Sequence, residues 1–447
     1  MRHLNSIVGT ATAGPAPTVR PELCEEGQAQ AIVASMEAHA DVQFLSDECD
    51  RYIDLATSLE NLADVTASIE SATVMEMQLV DIAGDIAMAG TEYDGAALTP
   101  GLESSEGSTI SVEGIKTIAQ DIWKAIKAFV AKIWKRVDNF FHNIFGALPR
   151  LRKSLIALRE RADGYTDKSI EESKTEVGSS INPLVVNNVA PSSSKGIEDA
   201  LETCKTVVNG LFDVYTKCII ARGEVIKGGL KEYKPGKDWT VEQHASALAK
   251  VHGFDDDFNK IKKAFDASDF KGKDRRFSDG ATISSVNLPG NMSVFVQGVE
   301  RDENSGALGT AEAQRARTVR VMSTLEKSQD AVDEHDVQTL AINEIKGIVD
   351  ICIDIVDGIE AWERGKNIKT IKGLVSDIEK NGDSLKKAEG GLEDVTSEIR
   401  AYPKSAMNFV KSFTTWSAEP HTTITNTSLA AVRAAIVVCN KSLSNYK

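Results

Sequence analysis

The first 113 residues contain no lysine at all. Twenty aspartates and glutamates stand there against three arginines, Arg2, Arg20 and Arg51, so this quarter carries a net charge of −17. The chain of 447 residues carries −15 in total, which leaves 46 acids, 48 bases and a net +2 for 114–447. All of the acidity therefore belongs to one terminal block, the kind of lopsided segment that acts as an interaction tail or a removable piece. Other shortages exclude function classes. The six cysteines show no CxxC spacing, which reads as reduced thiols and gives neither a disulfide framework nor a zinc site. Residues 1–17 hold no apolar run of the sort a secretory leader needs. Nowhere do eighteen uncharged apolar residues follow one another, so no membrane-spanning helix is expected.

Chemical motifs are equally scarce. GxGxxG, the phosphate-binding P-loop and HExxH are absent. Asp255–Asp256–Asp257 lacks the glycine and terminal glutamate of a calcium loop. Asp350, Asp354 and Asp357 share one helix face opposite an apolar stripe, which reads as a solvated face rather than a metal site. Cys204 and Cys218 read as buried thiols, not nucleophiles. No catalytic residue, cofactor or metal ligand is assigned, and the expectation is a protein without enzymatic activity.

What is present is helical periodicity. Ile53, Leu55, Leu59, Leu62, Val65 and Ile69 recur at three- and four-residue steps within a helix-prone 25–90. Residues 91–112 replace that period with Gly, Ser, Thr and Pro, and read as a flexible linker of the type proteases cut. From Gly114 the period returns as a basic amphipathic helix region, 114–162. Ile115, Ile118, Ile122, Ile126, Phe129, Ile133, Val137, Phe140 and Ile144 take one face, and Lys116, Lys124, Lys127 and Lys135 the other. Ser111 is placed to cap it, and Gly146 with Pro149 to end it, with the pattern resuming to about Arg161. Trp123 and Trp134 beside these lysines also suit a membrane interface or a partner surface. Spanning a bilayer is excluded, because each of the five lysines and one arginine between Gly114 and Leu148 would cost about 2.5–3.5 kcal/mol. Core packing is the first expectation for the apolar face, with DNA, a partner or a lipid surface open for the basic one.

A second linker is expected at 163–196, then a helical body, 197–447. Helices are expected over 197–228 and 240–266, and again after Gly309. The one convincing β signal is a hairpin near 282–297, in which Ile283, Val286 and Leu288 face Met292, Val294 and Val296 across Pro289–Gly290. Pro–Gly favours a type II turn, so the loop is expected to exceed two residues. Ile371, Ile378, Leu385, Leu392 and Ile399 stand seven apart, a coiled-coil seam that Gly373, Gly382, Gly390 and Gly391 weaken in favour of packing inside a bundle. A last helix, 427–443, is apolar enough to be buried. The fold class expected is mainly α: an elongated multi-helix bundle with one inserted β-hairpin, preceded by a helical or disordered acidic region.

One motif clusters at the boundary. Of twelve glutamates before residue 114, eight have Ser or Gly two positions earlier, ending at Glu37, Glu48, Glu60, Glu70, Glu92, Glu103, Glu106 and Glu113. Each triplet alone is a weak signal, as SIE at 169–171 and GIE at 196–198 show. Three within eleven residues of linker, followed at once by the charge switch, are stronger. In this layout the chain resembles the internal head proteins of jumbo, phiKZ-like tailed bacteriophages. The likeness rests on 58–160, with Phe145–Gly146 and Pro149–Arg150–Leu151–Arg152–Lys153, and on the Leu288–Asn291 turn. It implies a virion structural protein, synthesised in the host cytoplasm and located in the phage head interior. It further implies an acidic propeptide cut by a head-maturation protease after Glu in a small-x-Glu triplet. Glu113 is the expected position here, with Glu106 and Glu103 as alternatives. Partners implied are other capsid or inner-virion proteins and packaged DNA. The rival expectation is a membrane-active protein working through 114–148.

Overall fold

The computed structural model describes residues 112–447 except 235–237, 253–254, 271–280, 300–317, 324–331, 365–366 and 391–396. The helix-prone 25–90, the linker through 111, Ser111 and the triplets before Glu113 lie outside the described residues.

Helix α1 spans Val112–Asp163, 52 residues, or about 78 Å at 1.5 Å per residue. The stop expected at Gly146–Pro149 does not occur, because the helix runs through Pro149. A proline inside a helix costs about 3 kcal/mol in a lost hydrogen bond and a ring–carbonyl clash. Against that, Ile144, Leu148, Leu151, Leu155, Leu158 and Ala162 form one buried stripe on both sides of it. Each large aliphatic side chain so buried contributes about 1.5–3 kcal/mol, so the continuous helix wins. Pro149 and Gly146 fall on the exposed side.

The segment 163–196, expected as a linker, is packed into the body. Strand β1, Lys174–Glu176, is followed by a 3-10 turn, Gly178–Leu184, and Val177, Ile181, Leu184 and Val185 are buried. The far end of the chain ties it down. Ile170 bridges to Tyr446, Ser169 and Lys447 exchange backbone hydrogen bonds, and Lys447 pairs with Glu171 at 2.5 Å.

Helix α2, Ser194–Asn209, continues through a π-helical turn, Gly210–Tyr215, into α3, Thr216–Glu232. Gly210 is required by crowding: a Cβ there would stand 2.7 Å from the Ala264 carbonyl oxygen and 2.8 Å from the Phe265 ring. Helices α4, Val241–His252, and α5, Asp255–Ala264, occupy the region expected as one helix.

The β content exceeds one hairpin. Strands β2 (Ser268–Asp269), β3 (Ala281–Leu288), β4 (Met292–Val299) and β5 (Thr318–Ser323) form an antiparallel four-stranded sheet in that order. A second, two-stranded sheet pairs β1 with β6, Asp336–Gln338. The hairpin itself has Val286 opposite Val294 and Leu288 opposite Met292, with a three-residue loop, 289–291. Helix was expected after Gly309, but Thr318–Ser323 alternates Val319 and Val321 with Arg320 and pairs with β4. The added partners make β4 a central strand, and Val294, Phe295 and Val296 are buried on both of its faces.

Three helices complete the body: α6, Ile342–Arg364, α7, Asn367–Gly390, and α8, Ser397–Ser444. Of the heptad seam, Ile371 and Ile378 are buried, with Leu374 between them, and α7 packs on α3 and α8. The stretch Pro420–Ser444 of α8 is long and apolar enough by composition to cross a membrane. Ile424, Ala431, Val432, Ala435, Val438 and Cys439 are buried in the same core cluster as α1, α2 and α6, which is the position of a core helix. The described residues are mostly helical, with small antiparallel sheets.

Candidate functional site: the long basic helix and its boundary

The buried stripe of α1 comes from three- and four-residue spacing, which puts Val137, Phe140, Phe141, Ile144 and Leu148 on one side. It packs on α6 and α8. At the centre of that contact Trp362 of α6 meets Phe141 at 4.9 Å, Phe212 of the π turn at 4.8 Å and His421 of α8 at 5.1 Å between ring centroids. One hydroxyl ties this group together. Trp362 Nε1 donates to Thr216 Oγ1 at 3.1 Å, Thr216 Oγ1 donates to the Leu211 carbonyl at 3.0 Å, and His421 Nε2 lies 2.9 Å from the same oxygen. Burial pushes the His421 pKa down to about 3, so the ring is neutral near pH 7. The helix through Pro420 carried no sequence signal for this network, because a lone histidine among threonines has no diagnostic spacing.

The three aspartates of α6 are ion-paired. Asp357 takes Arg152 of α1 at 2.7 Å, Asp350 takes Arg159 of α1 at 2.9 Å, and Asp354 takes Lys205 of α2 at 2.9 Å. Hydrogen bonding to Asp357 raises the Arg152 pKa, and hydrogen bonding to Asp354 raises that of Lys205. At the end of α1 Asp163 pairs with Lys346, whose hydrogen bond lowers the carboxyl pKa. Among the described residues no three His, Cys, Asp or Glu side chains gather as a metal site. Burial pushes the Cys204 and Cys439 thiols up to about 12, which keeps them protonated and poor nucleophiles.

Glu113 is the second residue of α1, and Glu103 and Glu106 lie outside the described residues. Lys116, Trp123, Lys124, Lys127 and Trp134 all fall on α1, where the backbone is described but not their side chains. Lys135 is exposed. Beyond the expected stop, Arg150 and Lys153 prolong the exposed basic face. Sequence reasoning missed them by ending the helix at Pro149.

The family model for phiKZ-like phage internal head proteins matches residues 28–441. The chain belongs to this family. The match reaches well past the 58–160 region and hairpin that carried the resemblance, and it takes in most of the acidic quarter as well as the body. It places the protein inside the virion head, in a structural role and in association with other head components. No curated protein and no solved structure matches the chain. In this internal head protein α1 therefore leads from the acidic region into a helical body that buries one face of the helix from Val137 to Ala162.

Proposed function

We propose that this internal head protein is made as a precursor, and that a head-maturation protease removes its acidic N-terminal quarter. The body then remains packaged with the DNA as a non-enzymatic structural component. The observation that carries this reading is the charge step at Gly114, which coincides with the first turn of α1. Cutting after Glu113, Glu106 or Glu103 leaves a product of net +2, +1 or 0, so each position removes the repulsion between protein and polyanion. Glu113 marks the full step, and a carboxylate is favoured at a helix N-terminus. Its bond to Gly114 is helical, so cleavage there requires the first turn to fray, and Glu106 and Glu103 compete.

The folded body offers a reason why similar triplets would be spared. Glu171 donates its backbone N–H to Asn445 and Ile170 bridges to Tyr446, while Gly196–Glu198 lies in the first turn of α2. Proteases need accessible, extended backbone. Mass spectrometry of the protein from purified particles is expected to find an N-terminus at Gly114, or at 107 or 104. Replacing Glu103, Glu106 and Glu113 together with Gln is expected to leave full-length chain in the particles. An intact Met1–Lys447 chain in untouched particles would end the proposal.

A further inference from the structure

The ion pairs of α1 leave one face unused. Lys135, His142, Arg150 and Lys153 are exposed and make no ion pair among the described residues. At 3.6 residues per turn, Lys135, His142 and Lys153 fall within about 20° of one another and Arg150 about 60° away, opposite the buried stripe. The row is about 27 Å long at 1.5 Å per residue. From 135 to 157 the sequence holds five Lys and Arg against a single acid, Asp138. Gly146 and Pro149 lie exposed between His142 and Arg150, and a Cβ on Gly146 would meet nothing within 4 Å. The surface between the cations is therefore low and open.

We propose that this row is a contact face for the phosphate backbone of duplex DNA packaged in the head. The other residues on the face, Asn139, Gly146, Pro149 and Ala157, are small or polar, and the exposed Glu160, two turns beyond Lys153, ends the basic row. No large hydrophobic side chain is exposed among the described side chains of α1; Phe140 and Phe141 are buried. A lipid-inserting face or a protein hot spot needs such side chains, whereas phosphate binding needs only spaced cations and room for the backbone. With no base-reading geometry the contact is sequence-independent. The proposal rests on the maturation reading in one respect: the acidic quarter, while attached, competes for the same cations.

The test uses protein recovered from particles of the normal phage and of a Lys135→Gln/Arg150→Gln/Lys153→Gln variant. Binding to a mixed-sequence 30-base-pair duplex is followed by fluorescence anisotropy between 50 and 200 mM KCl. Each neutralised phosphate contributes about 0.9 to the slope of log affinity against log salt. The triple variant is expected to lose about 2.7 of that slope, and each single variant, used if the triple does not assemble, about 0.9. A Lys231→Gln/Lys263→Gln/Lys369→Gln control removes the same charge from exposed positions on α3, α5 and α7 and is expected to leave the slope nearly unchanged. An equal loss in the control, or no binding by the normal protein, overturns the proposal. So does binding to phosphatidylserine-containing vesicles through these cations without duplex binding. The N-terminal mass of the same sample reports on maturation separately: an uncleaved chain that binds through the row refutes only the cleavage, and a cleaved chain that does not bind refutes only the contact face.

Discussion

Acid should unfold this protein partly through one buried imidazole. His421 is enclosed by Trp362, Phe212 and Tyr215 and meets the Thr216 hydroxyl. Its pKa is about 3 in the fold against an ordinary 6.5. Between those values the unfolded chain takes up a proton that the folded chain refuses, so stability is present above pH 6.5 and is lost as pH falls. At 1.36 kcal/mol per unit, the loss between pH 7 and 4.5 comes to about 2–3 kcal/mol. Asp163, Asp377 and Glu242, whose pKa values are lowered, also lose stability on acidification and must be subtracted. His421→Gln keeps a polar group facing Thr216 but does not titrate. Urea unfolding followed by circular dichroism at pH 7, 6, 5 and 4.5 measures both proteins. The variant is expected to be less stable at pH 7, through lost ring stacking, yet to fall by about 2–3 kcal/mol less across the range. Parallel pH profiles for the two proteins would refute a neutral, proton-refusing His421.

Two further substitutions test the packing. Gly210→Ala places a methyl against the Ala264 carbonyl and the Phe265 ring, and is expected to cost about 1–3 kcal/mol in urea unfolding; a neutral result would mean that the π turn moves freely. Asn291 has φ +55° and exchanges hydrogen bonds with Asn188 at 2.8 and 3.0 Å. Asn291→Ala is expected to cost about 1–3 kcal/mol and Asn291→Gly less, since glycine accepts the left-handed backbone; the reverse order in the same assay would refute the strain argument.

Local periodicity was enough to place the amphipathic face of α1, because spacing alone decides which side of a helix is apolar: Val137, Phe140 and Ile144 are buried as their positions require. The same holds for the Leu288–Met292 pairing, since the turn Pro289–Gly290–Asn291 brings its own backbone preference. The charge step at Gly114 and the boundary glutamates are properties of the sequence and need no fold to be seen. Tertiary structure decided the rest wherever a distant partner outweighed a local rule. Pro149 reads as a stop, but the core contacts of Leu151, Leu155 and Leu158 carry α1 through it, which is what exposes Arg150 and Lys153 on the row with Lys135. Strands β1 and β6, three residues each, are too short to be recognised alone and exist because each supplies the other's hydrogen bonds, while β5 lies in a stretch expected as helix and is held as a strand by β4. The α6 aspartates face solvent, as their place opposite the apolar stripe requires, but only the fold shows that Arg152, Arg159 and Lys205, all far away in the chain, pair with them there. A sequence records which charges a chain carries; only the packed helices determine which of them are already paired and which still face outward.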